Sequence, residues 1–272
     1  PVTGEQEQDQ TQLGLTLKAK IAKTEVRYGQ LMPKLPVVHI DHSRNLPTTF
    51  KGLMLESNDI ENTKITAGRI TRIQARDKDD YEKLTLDVNK TGKFSDGLNV
   101  FGVDYKLYSN LDASYFYGGL EDIYNQHYVS LKHQHKFNDT TRLVTDFRVF
   151  DTQDAGSSLQ GEIDNQAYNF MSMLSYGPHK FGLGYQHMSG ETAFPLLSGW
   201  TPAPFLTQWG SISFYKAKER SVQFRYDYDF APMGIDGLYF MTRYIMADHI
   251  KHPTIDDVKE SEFNQIIVKK TR

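Results

Sequence analysis

No cysteine occurs among the 272 residues, so neither a disulfide framework nor a thiolate zinc site is open to this chain. No stretch reaches the roughly 18 consecutive apolar residues of a membrane-spanning helix, and the mean hydropathy is −0.55. Helical spans are therefore excluded. A strand barrel is not, because transmembrane strands alternate apolar and polar residues and average out as if soluble. A net charge of −3 leaves no electrostatic footprint for nucleic acid. The opening PVTGEQEQDQTQ has no basic start followed by an apolar stretch, so a secretory signal is expected to have been removed or to lie upstream. Motifs of hydrolases, zinc peptidases and phosphate-binding loops are missing, and the nine histidines form no ligand-like cluster. His133 and His135 share one strand face and read as surface. No catalytic residue, cofactor or metal is expected.

What is abundant is tyrosine and phenylalanine, 16 of each, set in segments of period two. LGLTLKAKI at Leu13–Ile21 places leucines, Ala19 and Ile21 on one face and Thr16, Lys18 and Lys20 on the other. Thr24–Met32 follows after a tight Ala22-Lys23 turn, with Val26 and Tyr28 opposite Glu25 and Arg27. Further strands are expected at 50–57, 63–73 with a bulge near Gly68, 100–108, 112–118, 128–137, 142–150, 168–176, 181–188, 221–230, 238–247 and 262–270. In 221–230, Val222, Phe224, Tyr226 and Tyr228 alternate against Gln223, Arg225, Asp227 and Asp229. The pattern predicts an all-β, antiparallel, up-and-down transmembrane barrel in one domain, with about thirteen strands whose tight turns and long loops take turns. Tyr28, Tyr108, Tyr117, Tyr124, Tyr128, Tyr168, Tyr176, Tyr185, Tyr228 and Tyr244 near strand ends suggest interfacial belts, although tyrosine is common in any strand.

The long connections are about 74–99, 189–218 and the stretch GQLMPKLPVVHIDHSRNLPTTFKG at Gly29–Gly52. The last has three prolines, which exclude regular helix, and its part from about 33 to 49 is expected to fold inward and present Arg44. An exposed loop with an incidental arginine is the alternative. The face opposite the apolar one carries Lys18, Lys20, Arg27, Lys132, Arg142, Arg148, Arg225 and Arg243 with fewer acids to match. On the outside of a soluble sheet these would be solvated charges; inside a barrel they form a path.

KTEVRYGQLMPKLPVV, SRNLPTTFKG, GGLEDIYNQHY, DTQDAGSSLQGEIDN and ERSVQFRYDYDFAPMGIDGL, in that order, resemble segments of the OprD-type outer-membrane carboxylate channels, and the likeness covers nearly the whole chain. It implies an eighteen-stranded monomeric barrel in the outer membrane of a Gram-negative bacterium. Its surroundings would be membrane lipid and lipopolysaccharide. Inward loops would narrow the pore, and a basic ladder would guide small carboxylate solutes such as organic acids, amino acids or peptides. The family's arginine before a Leu/Phe-Pro step maps to Arg44, which by this resemblance binds the substrate carboxylate. AFPLL puts Leu197 where the family has a pore tyrosine, and Ser213 stands where an aspartate precedes Phe214. Both departures weaken the case for basic amino acids as substrates. About three strands before Pro1 and two after Arg272 are expected from the family count, so the sheet should curl without closing. A structural or adhesive barrel without selective transport is the competing reading, and it needs no charge asymmetry in the lumen.

Overall fold

The computed structural model describes residues 14–270 except 42, 44–45, 76–77, 87–90, 253 and 256. Thirteen antiparallel strands form one sheet in chain order. They are β1 Thr16–Ile21, β2 Thr24–Leu31, β5 Thr49–Ser57, β6 Thr63–Gln74, β7 Leu98–Tyr108, β8 Leu111–Leu120, β9 Tyr124–Lys136, β10 Thr141–Asp154, β11 Asp164–Tyr176, β12 His179–Ser189, β13 Arg220–Asp229, β14 Leu238–Ile250 and β15 Val258–Lys269. A separate ribbon, β3 Lys34–Leu35 with β4 Val38–His39, lies in the loop after β2. β1 and β15 are the two edges and do not pair, so the barrel is open.

Each strand pairs with its successor because the connections at one rim are short: Ala22-Lys23, Ser109-Asn110 and Gly177-Pro178 leave room for little else. At the other rim run the long segments 32–48, 75–97 and 190–219, together with 155–163 and 251–257. The alternation is relieved twice: the short turn Glu121–Ile123 joins β8 and β9 on the loop side, and the longer connection 230–237 joins β13 and β14 on the turn side. Period two is kept across the pairing. Phe224 is 52 % exposed while its neighbours Ser221 and Gln223 are buried, and Arg225 shares their side. Leu17, Leu53, Phe101, Leu131, Phe181, Leu183 and Phe224 are all exposed on the outward face. Large apolar side chains left in contact with the surroundings over a whole sheet suit lipid, not water.

Two expectations are corrected. The irregularity in β6 is at Thr71, between the Lys51–Arg72 and Gly52–Ile70 pairs, and not at Gly68. Gly68 instead gives room to Met54, whose sulfur a side-chain carbon there would meet at 2.3 Å. Tyr124 and Tyr128 belong to no belt: both point inward and are buried, the Tyr128 ring tilted against Phe150 with centroids 4.7 Å apart. In the segment 75–97 the bridge Ile73–Glu82 ties the chain to the end of β6, and the bridge Leu84–Ser95 closes the segment on itself, with Leu84 buried.

Candidate functional site: the inner face and its loops

The apolar run LPVVHI closes as the β3–β4 ribbon, so its side chains need cover that a surface loop does not offer. They find it on the inner face. Leu35, Val37, Val38 and Ile40 are buried there, with Val37 seated over Gly118 of β8. The backbone is closed by Ile40 N–H donating to Pro33 O (3.0 Å) and Thr48 N–H to Asp41 O (3.0 Å). The 190–219 segment lies beside the ribbon. Its Thr207 and Gln208 N–H groups donate to Asn169 Oδ1 (2.8 Å) and Gln186 Oε1 (2.9 Å) of the wall, and Phe205 meets His39 edge-on at 6.2 Å. Ser198 N–H donates to Thr85 O of the 75–97 segment at 2.6 Å. Three loops thus pack on one another and on the wall as one hydrophobic cluster. Leu197, where the family resemblance sought a hydroxyl, is part of that cluster. Phe214 after Ser213 packs on Ile245 and Ala247.

Arg44, with His42 and Asn45, lies outside the described residues. The eight strand cations all have inward parity. Lys18 and Lys20 stand opposite Arg27 and Glu25, Lys132 opposite Asp112 and Asp146, and Arg142 opposite Lys136 and Ser175. Arg148 and Arg243 reach the loops. The Arg148 guanidinium donates to Phe205 O (2.8 Å) and to both Asp146 oxygens (2.9 and 2.6 Å). Arg243 donates to Asn264 Oδ1 (2.7 Å), Trp209 O (3.4 Å) and Glu262 Oε1 (3.4 Å). Arg225 is held by Asp227 at 2.8–3.2 Å, and Arg27 by Glu56 and by Glu25 at 3.2 Å.

The expected shortage of acids is therefore not what the face shows, because every one of those four arginines has a carboxylate partner. The signal was in the sequence: Glu25-Val-Arg27, Asp146-Phe-Arg148 and Arg225-Tyr-Asp227 put acid and base two residues apart, hence on one face of a strand. Of the eight, Lys18, Lys20, Lys132 and Arg142 are exposed and take part in no ion pair among the described residues. Lys64, which sequence reasoning passed over, joins the network by pairing with Glu56 at 2.8 Å.

One cluster anchors the far end of the 190–219 segment. Glu219 is buried, accepts from Lys216 N–H (2.8 Å) and faces Glu260, itself paired with Lys216 Nζ. One oxygen of each carboxyl has no donor among the described residues. Burial, and then the neighbouring Glu260 charge, push Glu219 far above the usual carboxylate range.

One family model, described as outer membrane porin, OprD family, matches residues 2–268. The chain belongs to the OprD family. Among solved structures of this family, OpdQ of Pseudomonas aeruginosa is 39 % identical with a TM-score of 0.88, covering 94 % of this chain and 70 % of that one. OpdK of the same organism, solved with vanillate, is 28 % identical with a TM-score of 0.89, covering 94 % and 68 %. Porin D of Pseudomonas aeruginosa is 29 % identical over 264 residues, 93 % of this chain and 59 % of its own length. The chain spans about three fifths of the curated OprD-family relatives it matches. These relatives are outer-membrane porins of Gram-negative bacteria, channels and not enzymes.

Proposed function

We propose that this chain builds the wall and constriction of a selective outer-membrane channel for small carboxylate-bearing solutes, working as a monomer. The observation that carries the reading is the placement of Arg148 and Arg243 on the inner face, each donating to a loop carbonyl, on the face that also carries Lys18, Lys20, Lys132 and Arg142. A carboxylate crossing a narrowed, low-dielectric passage loses hydration, and a row of guanidinium and ammonium groups replaces it. Paired arginines suit this purpose. Their charges are balanced at rest, so a passing carboxylate is exchanged with Asp146 or Asp227 rather than trapped. That OpdK has been solved with vanillate, an aromatic carboxylate, supports the same solute class for a relative of similar fold. Among the cations, Arg44 is assigned the first grip on the carboxylate, on the strength of its SRNLP motif.

Liposome uptake of benzoate-like against neutral solutes tests the reading. Arg44→Ala should lower carboxylate flux and leave neutral solutes unchanged, and Arg44→Lys should restore part of it, since a point charge lacks the two-pronged geometry. Equal passage of both solute classes in the unaltered protein would favour a structural barrel.

A further inference from the structure

On the outward face, lysine and arginine are not scattered. Lys51, Arg69 and Arg72 on β5 and β6, with Arg220 and Lys259 on β13 and β15, lie toward the loop-side rim; Lys269 is the exception near the turns. Lys51 and Arg72 are directly opposite one another across the β5–β6 ladder. Like charges in that relation repel, and neither has a carboxylate partner among the described residues. Among the described residues the Arg72 guanidinium donates only to the backbone of Thr71, at 2.7 Å. One pair inward along the same face, Arg69 is engaged by Glu121 (2.8 Å for one of its two contacts) and by Asn99 (2.9 Å). The nearby Asp96 is taken by Lys83 at 2.8 Å. Just below begins the apolar face, with Leu53, Tyr28 and Phe101 exposed. The irregularity at Thr71 keeps Arg72 outward between buried Ile70 and Ile73, so the local backbone is shaped to hold the second cation on the lipid side.

We infer that Lys51 and Arg72 form a binding site for the phosphate of an outer-leaflet lipid. A dianionic headgroup between them removes their repulsion and takes the guanidinium fork, while its acyl chains lie along Leu53, Tyr28 and Phe101. The loop-side rim is the outer-leaflet side, since barrels of this class keep their short turns in the periplasm. A second contact of the same kind is available at Arg220 and Lys259, which line a 580 Å³ groove with His187, His249 and the acids Asp248 and Asp257. There the Asp248–His249 pair (2.7 Å) sits on the outward side of a bulge in β14. The inference rests on the membrane orientation and not on which solute is transported.

Native mass spectrometry of the detergent-solubilised protein, titrated with a bis-phosphorylated glucosamine-disaccharide lipid, tests it. Each interfacial cation is worth roughly fivefold in affinity, so Lys51→Gln with Arg72→Gln should weaken retention by about 25-fold on the same scale. The dephosphorylated lipid should bind no better to the unaltered protein than to this double variant. Lys106→Gln, at the opposite rim, should change nothing, and carboxylate uptake should persist in the double variant. Undiminished lipid retention by the double variant overturns the site. So does full competition by inorganic phosphate at the concentration of the lipid, which would mark a simple anion site. Loss of carboxylate uptake alone, with lipid binding intact, would count against this site while leaving the channel reading standing.

Discussion

Val37 of the first inward loop rests on Gly118 of β8: a side-chain carbon added at Gly118 would come within 2.8 Å of the Val37 Cβ. The glycine is thus a seat for the loop and not a flexible joint. Gly118→Leu should unseat the ribbon at a cost of about 1–3 kcal/mol, the range for overpacking. Urea unfolding in detergent and proteolysis within residues 32–48 check this. Unchanged stability and unchanged cleavage would mean the loop is held elsewhere.

Asp146 both neutralises and aims Arg148, which in turn ties Phe205 O to the wall. Asp146→Asn should leave the guanidinium positive and underpaired in a half-buried position. Stability should fall by about 1.5–3 kcal/mol, the worth of a charge-assisted hydrogen bond, and selectivity should move toward anions. Reversal potentials in a salt gradient measure the second effect; a shift toward cations would contradict the assignment of Arg148 to the lumen.

The Glu219–Glu260 pair makes the seat of the 190–219 segment depend on pH. Glu219 keeps its proton in the folded state up to about pH 8, whereas an unfolded or released segment gives it up near the ordinary glutamate value of about 4.3. The folded form then binds more protons between those limits, so the seat is firmest in acid and loosens as pH rises toward 8, by at most about 1.4 kcal/mol per pH unit. Glu219→Gln should abolish this slope. Hydrogen exchange of the Lys216 and Glu219 amides across pH 5 to 9, corrected for intrinsic rates, reads it directly; a flat profile in the unaltered protein would refute a protonated Glu219 at the seat.

Much of this architecture was legible because a transmembrane strand carries its own test: a charge on the wrong parity faces lipid. The 221–230 alternation assigned inside and outside residue by residue, and tight turns such as Gly177-Pro178 dictated which strands pair. Tyr124 and Tyr128 misled because a tyrosine at a strand end fits an interfacial belt and an inward stack equally well. The inward Tyr128 was decided by Phe150 and Phe205, residues distant in sequence. The packing of three loops into one cluster was illegible for the same reason, since Ser198 and Thr85 meet across more than a hundred residues. The acid partners of Arg148 and Arg225 were written two positions away; the surplus of basic charge was read one sign at a time and missed them.

The register of β13 gives the sharpest test of the membrane orientation. Phe224 is outward and exposed in mid-strand, whereas Ser114 of β8 is inward and donates to Asp104 Oδ1 at 2.6 Å. An arginine replacing Phe224 meets acyl chains and loses its hydration, a cost of roughly 2–4 kcal/mol near the bilayer midplane. An arginine replacing Ser114 remains among water and carboxylates and gains Asp104 as a partner, so its effect should stay within about 1 kcal/mol, as for other solvated sites. Folding titrations of both variants into lipid vesicles separate the two environments. Equal costs, or a larger cost at Ser114, would exchange the two faces of the sheet and with them the lumenal placement of every arginine named above.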